Sequence, residues 1–376
     1  MCSLMEHKAF LYALPSCLPY VVQCIIVNVP GRIGQELTYV TTDTTTGRAK
    51  RWLANLGNTL VAVSPVENRV KSLDLLRGLA IFLMVIVNAL AIYNATPSWL
   101  KHAPAEGYTI ADVVAPMFLF SIGISYELSF CRRLASQGKR QTIKHFLVRY
   151  LILFCFGFFG ELLALKQVTW GILAMIGTVG IYSLPFMFLR PRLRVAVALV
   201  PFVAYQISVS LGAKTPLIDM GMGNPLSTPA WGFIVVSASV IGSQLQLRDF
   251  KHMSSILGPW GGAFVLTGIL LTLAIPWNKH VVSASYIIFS SGVITLTMLV
   301  LHLLVDKLKL RFSLLGAVGR NALALYILSS LLTLGLHAIL SVEAPLFSVV
   351  VGSGVVLALS IITGVMLDRK KLYIRL

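Results

Sequence analysis

Charge is scarce in this chain of 376 residues: 12% are Asp, Glu, Lys or Arg, and acidic side chains number only 14. Ordinary soluble domains are about one-quarter charged, so a water-facing surface of normal extent is excluded. Cysteine is sparse as well. Cys2, Cys17, Cys24, Cys131 and Cys155 show no CxxC spacing and lie mostly in or beside apolar stretches, which excludes a disulfide framework and suggests no metal site. They read as small hydrophobes. There is no internal repeat of the inverted-transporter kind, and low-complexity sequence is confined to the Thr-rich tract from Thr41 to Gly47.

What is present is apolar: 57% of the residues are hydrophobic, gathered in runs of about 20 residues, the length that crosses the hydrocarbon at ~1.5 Å per residue. The runs place spans near 74–96, 109–131, 146–165, 168–189, 195–211, 230–247, 255–275, 281–303, 314–340 and 345–367. The expected fold is therefore all-α, a polytopic membrane protein with ten core transmembrane helices. Residues 1–68 form an N-terminal extension before this 69–376 core. Its apolar stretch from Phe10 to Val29 contains Pro15 and Pro19, with Arg48, Lys50 and Arg51 further on. That stretch reads either as an eleventh span or as an extension without a role. Basic residues after rather than before it fit poorly with a cleaved signal peptide.

The formal charge of +17 would point to nucleic acid in a soluble protein, but here Lys and Arg cluster between apolar runs and orient helices in a bilayer. One set of alternate loops carries Arg69 and Lys71; Arg132, Arg133, Lys139, Arg140 and Lys144; Arg190, Arg192 and Arg194; Arg248 and Lys251; Lys307, Lys309 and Arg311; and Arg369, Lys370, Lys371 and Arg375. The other set holds only Lys101, Lys166, Lys214 and Lys279. The first set is expected in the cytoplasm, together with the C-terminus. The partners implied are the lipid bilayer and no nucleic acid; apolar helix faces also offer homodimer surfaces, none distinctive.

Function must reside in polar groups that the bilayer makes costly. The densest lie early: Ser72-Leu73-Asp74-Leu75-Leu76-Arg77-Gly78, then Asn88, then Lys101-His102-Ala103, then Gly107-Tyr108-Thr109-Ile110-Ala111-Asp112. Asp112 follows Thr109 at capping-box spacing, Arg77 lies at i+3 from Asp74, and Asn88 suits either a ligand or an interhelical hydrogen bond.

In order and approximate spacing, these segments resemble the transmembrane heparan-α-glucosaminide N-acetyltransferases and their prokaryotic relatives. That family's core opens with Ser-Leu/Val-Asp-x-x-Arg-Gly and Met-x-x-x-Asn, here Met84 to Asn88, followed by Lys-His-Ala and Gly-x-Thr-x-Ala-Asp. Further on, Ile275-Pro276-Trp277-Asn278-Lys279, Ser283-Ala284-Ser285-Tyr286 and Gly319-Arg320-Asn321-Ala322-Leu323-Ala324-Leu325-Tyr326 are similar to later family segments. Two positions depart: Gly171-Ile172-Leu173-Ala174-Met175 stands where Gly-Val-Leu-Gln-Arg is expected, and Gly223-Asn224-Pro225-Leu226-Ser227 replaces Asp-Pro-Glu-Gly.

The resemblance implies transfer of an acetyl group from cytoplasmic acetyl-CoA, a co-substrate, to an amino sugar or glycan on the far side. His102 would serve as base or as acetyl carrier, Asn88 would meet the thioester carbonyl or its oxyanion, and Asp112 would orient the imidazole. Asp74 and Arg77 suit a coenzyme A phosphate, while Asn278, Lys279, Tyr286, Asn321 and Tyr326 would contact substrate or line a cavity. His302 and His337 have no carboxylate at ligand spacing in this reading. An O-acyltransferase of cell-envelope polysaccharide and a non-enzymatic transporter or flippase are the alternatives.

Overall fold

The computed structural model describes residues 70–104, 106–165, 170–212, 224–245 and 250–373. The N-terminal extension and its candidate span lie outside the described residues. The helices are α1 (Lys71–Leu90), α2 (Val114–Leu165), α3 (Ile172–Ser183), α4 (Pro191–Ser210), α5 (Thr228–Gln244), α6 (Phe250–Leu271), α7 (Ala284–His302), α8 (Ser313–Arg320), α9 (Ala322–Ile339) and α10 (Leu346–Arg369). No strand occurs among the described residues. Eight of these helices, some with adjoining turns, are long and apolar enough to cross a bilayer. The protein is thus an all-helical, multi-pass membrane protein.

The difference from the ten expected spans has local causes. α2 runs through two of them, 109–131 and 146–165, as a helix broken at Gly138, where φ is 75°. A straight helix would hold Tyr126 and Phe146 about 30 Å apart, yet their rings stack at 4.4 Å and Tyr150 stacks on Tyr126 at 5.2 Å. The chain therefore doubles back at Gly138, and α2 is two arms packed together. The positive φ favours glycine; nothing stands within 4 Å of where a Cβ would sit. α3 has 12 residues, about 18 Å of rise, and a 3-10 turn over Pro185–Phe188 extends it.

Two further expectations shift. The span expected to run to residue 96 ends at Leu90, where the Thr96 hydroxyl donates to the Leu90 carbonyl at 2.8 Å and folds the chain off the helix axis. The span expected over 314–340 is two helices, α8 and α9, parted at Asn321 (φ −116°, ψ 30°). α8 breaks away to pack on α1 at backbone contact. A Cβ on Gly319 would fall 1.8 Å from the Asp74 carbonyl oxygen, and one on Gly78 2.0 Å from that of Leu315. Gly319→Ala is expected to push the two helices apart at a cost of about 1–3 kcal/mol or more, read as a lower unfolding midpoint in detergent.

α5 is the most enclosed candidate span, with 72% of its apolar window buried and Trp231 fully enclosed. Beside it lies a charged pair. Arg194, at the start of α4, donates to Glu127 of the first α2 arm at 2.5 Å, and their side chains are only 4% and 3% exposed. The same guanidinium reaches the Leu189 and Met187 carbonyls at 3.0 Å each and Ser239 of α5 at 3.3 Å. Arg194, expected in a cytoplasmic loop, is instead a buried tie between three helices.

Candidate active site

Leaving α1, the chain makes a 3-10 turn at Ser98–Leu100 and a second at Ile110–Val113 before entering α2. The loop between is pinned to the segment before α7. The Gly107 N–H donates to the Trp277 carbonyl at 2.8 Å. The Tyr108 ring lies 4.9 Å from Phe289, 5.8 Å from Trp277 and 5.8 Å from Tyr286, and its hydroxyl is 3.0 Å from Ser290 Oγ. Burial raises the Tyr108 phenol above its ordinary range, so it stays neutral and holds the loop as a hydrogen-bonding aromatic.

This docking brings His102 against Asp112. His102 Nδ1 lies 2.8 Å from Asp112 Oδ1; the imidazole is 34% exposed and the carboxylate fully buried. Asp112 Oδ2 accepts from the Thr109 N–H at 3.0 Å and the Ala103 N–H at 3.3 Å, and the Thr109 hydroxyl, 3.0 Å away, also lies 2.7 Å from the Lys101 carbonyl. One carboxylate oxygen therefore caps the turn while the other holds the imidazole, so the capping and orienting roles coexist. Tyr286, fully buried on α7, donates to the Asp112 backbone carbonyl at 2.7 Å and so sits behind the carboxylate.

The third member comes from the loop before α7. Lys279 Nζ is 3.0 Å from His102 Nδ1 and 3.9 Å from Asp112 Oδ1, and the side chain is 5% exposed. Burial lowers the Lys279 ammonium to about 8, against the raising pull of Asp112. Asn278 supports this placement: its Oδ1 accepts from the His280 and Val281 N–H groups at 2.9 and 3.2 Å. α4 adds two clamps, since Tyr205 donates to the Val281 carbonyl at 2.8 Å and Gln206 Oε1 accepts from the Ala284 N–H at 2.7 Å. Between them Val282 takes a φ of 51°, a left-handed conformation strained for a β-branched residue.

The remaining sequence candidates lie elsewhere on the bundle. Asp74 and Arg77 pair at 3.2 Å at the opposite end of α1, where Arg77 also donates to Ser125 of α2. Asn88 follows Arg77 by eleven residues, about three turns and ~16 Å along the same helix face. It is exposed although Val87 and Ala89 beside it are buried. Asn321, fully buried, has an amide without a hydrogen-bond partner among the described residues. Tyr326, one turn into α9, is partly buried.

Sequence reasoning left unread the supporting Tyr108–Ser290 and Tyr205–Val281 contacts, which are 182 and 76 residues apart; no local pattern announces them. It also gave His302 no carboxylate, whereas Asp306 stands 2.6 Å away at i+4. No cluster of three or more metal-ligating side chains occurs among the described residues.

An apolar multi-helix bundle carrying a partly exposed imidazole backed by a buried carboxylate describes a membrane protein with a polar, carboxylate–imidazole cluster in the loops at an end of its helices. The chain matches the family model for heparan-alpha-glucosaminide N-acetyltransferase, catalytic, over residues 69–269, more than half its length, and belongs to that family of membrane acyltransferases. Among curated relatives, the heparan-alpha-glucosaminide N-acetyltransferase of Mus musculus is 37% identical over 92 residues, 24% of this chain and 13% of the mouse protein. The Homo sapiens protein of the same name is 43% identical over 68 residues, 18% of this chain and 10% of the human one. The chain therefore aligns to only a small part of those relatives.

Proposed function

We propose that this protein takes an acetyl group from acetyl-CoA on the cytoplasmic side and transfers it to the amino group of a glucosamine-type sugar on the extracytoplasmic side. The observation that carries this reading is the state of His102: the buried Asp112 occupies its Nδ1 at 2.8 Å, so Nε2 is the nitrogen left to meet an acceptor. An imidazole so held takes the proton of an attacking amine and returns it to the leaving thiolate.

The topology follows by counting the two arms of α2 and the short α3 as separate crossings, which makes ten. Basic residues cluster in sequence around the Gly138 turn, from Lys307 to Arg311 and from Arg369 to Lys371. The positive-inside rule supports a cytoplasmic placement of these segments and of the C-terminus, with His102 on the opposite side. Arg77 at the cytoplasmic end of α1 suits a coenzyme A phosphate, with Asp74 holding the guanidinium. Asn88, further along the same face, suits the thioester carbonyl, whose developing negative charge an amide N–H stabilises. Asn88 stands two residues before the end of α1, and its exposure leaves the amide open to a ligand. Lys279 and Tyr286 lie beyond residue 269, where the family match ends, yet contact His102 and Asp112 within it, which supports reading residues 69–376 as one unit.

Detergent-purified protein is expected to bind acetyl-CoA and to move labelled acetyl onto glucosamine. Transfer to a sugar hydroxyl instead would support O-acylation. An acetyl-enzyme trapped without acceptor would make His102 the acetyl carrier, and absence of acetyl-CoA binding would overturn the reading in favour of a transporter.

A further inference from the structure

Acetylation of an amine near neutral pH asks one imidazole nitrogen to pass two protons in turn, and to hold the first without the ring staying cationic. The acceptor reaches the site as an ammonium ion. Overall, the ammonium and the thioester give an amide, the coenzyme A thiol and one free proton. The C–S bond breaks, a C–N bond forms, and the acceptor nitrogen loses two protons, one to sulfur and one to water. His102 offers the acceptor a single nitrogen, Nε2, because Asp112 and Lys279 both stand on the Nδ1 side at 2.8 and 3.0 Å.

We infer that Lys279 is a relay residue that takes the proton displaced from His102 Nδ1 when Nε2 accepts the acceptor's first proton, so that the imidazole stays neutral until sulfur departs. This rests on the acetyl-transfer reading above. The placement of Lys279 argues against a direct substrate contact, since it is 5% exposed behind the imidazole and points at Nδ1 rather than outward. Nδ1 carries one proton at most, so it does not donate to Asp112 and accept from an ammonium at the same time. A neutral Lys279 removes that conflict, and its burial favours the neutral form as pH rises through about 8.

The steps balance. The ammonium gives a proton to Nε2 while Nδ1–H passes to Nζ; Asp112 Oδ1, 3.9 Å from Nζ, stabilises the resulting Lys279 cation. The freed amine attacks the thioester carbonyl and sulfur departs. Nε2–H protonates the thiolate as Nζ returns its proton to Nδ1. Nε2, free again, takes the second proton from the new amide nitrogen and releases it to water. The titratable groups in contact with Lys279 are His102 and Asp112 from the first loop and its following turn, with His280 next in sequence and the phenols of Tyr108 and Tyr286 facing Asp112. Both phenols are committed to fixed partners, Ser290 and the Asp112 carbonyl.

The test compares glucosamine with an aminooxy analogue of the same sugar, whose nitrogen is already unprotonated across the assay range and has one proton fewer to lose. Lys279→Met is expected to lower the ratio of glucosamine to aminooxy rates by about a hundredfold, within the span of acid–base effects. An equal fall with both acceptors, or no fall, would overturn the inference. Should the variant lose its cooperative melt, Lys279→Gln, which keeps a polar head group without the ammonium, decides by the same ratio. A wild-type ratio in that variant refutes the relay. If the wild type transfers acetyl to neither acceptor, the parent reading fails instead.

Discussion

His102→Ala is expected to lower acetyl transfer by about a thousandfold, in the middle of the range for a lost general base, while leaving the unfolding midpoint within about 2 °C of wild type. The imidazole is one-third exposed and its removal opens no core cavity, so the stability effect should be small. What the substitution unpairs is Asp112 Oδ1, which retains Lys279 at 3.9 Å as a counter-charge. Binding of acetyl-CoA should survive, because the groups assigned to it lie on α1. Parallel isotherms and turnover measurements on both proteins check this, and wild-type turnover in the variant would remove His102 from the mechanism.

The largest stability effect is expected at Arg194. Removing one partner of a buried ion pair strands the other, at a cost of about 3–5 kcal/mol. Arg194→Met should therefore unfold the detergent-solubilised protein well below the wild-type midpoint, since Glu127 and two carbonyls lose their donor together. Replacing both partners, Arg194→Met with Glu127→Leu, removes the stranded charge and should recover most of the loss. A double variant no more stable than the single one would show that the carbonyl contacts, rather than the charge pair, dominate.

Much of this fold is legible in sequence because the bilayer requires long apolar runs and asymmetric loop charge. The turn at Gly138 sits amid Arg132, Arg133, Lys139, Arg140 and Lys144, so the reversal is readable even where the helix is nearly continuous. The break at Asn321 is not. Apolar residues lie on both sides of it, and what decides is the backbone contact of Gly78 and Gly319 with the facing helix, a meeting of segments far apart in the chain. The site divides likewise. His102 and Asp112 are ten residues apart with Thr109 between as a cap, and their pairing can be read locally. Lys279 is 177 residues from His102; beside Trp277 it reads as an ordinary interfacial lysine until the tertiary fold turns it inward. Arg194 was hidden for the opposite reason: it belongs to a basic cluster whose other members, Arg190 and Arg192, are exposed where α4 begins.

The Arg194–Glu127 tie also has a consequence for how the chain is assembled. During synthesis α2 emerges before α4, so the carboxylate is in place when the guanidinium arrives. Arg194 sits in the first turn of α4, where an unpaired guanidinium would snorkel to the interface, and most of the α4 surface faces outward. Docking of α4 on the α2 hairpin already in place therefore draws the guanidinium in against its counter-charge, and α5 completes the joint through Ser239.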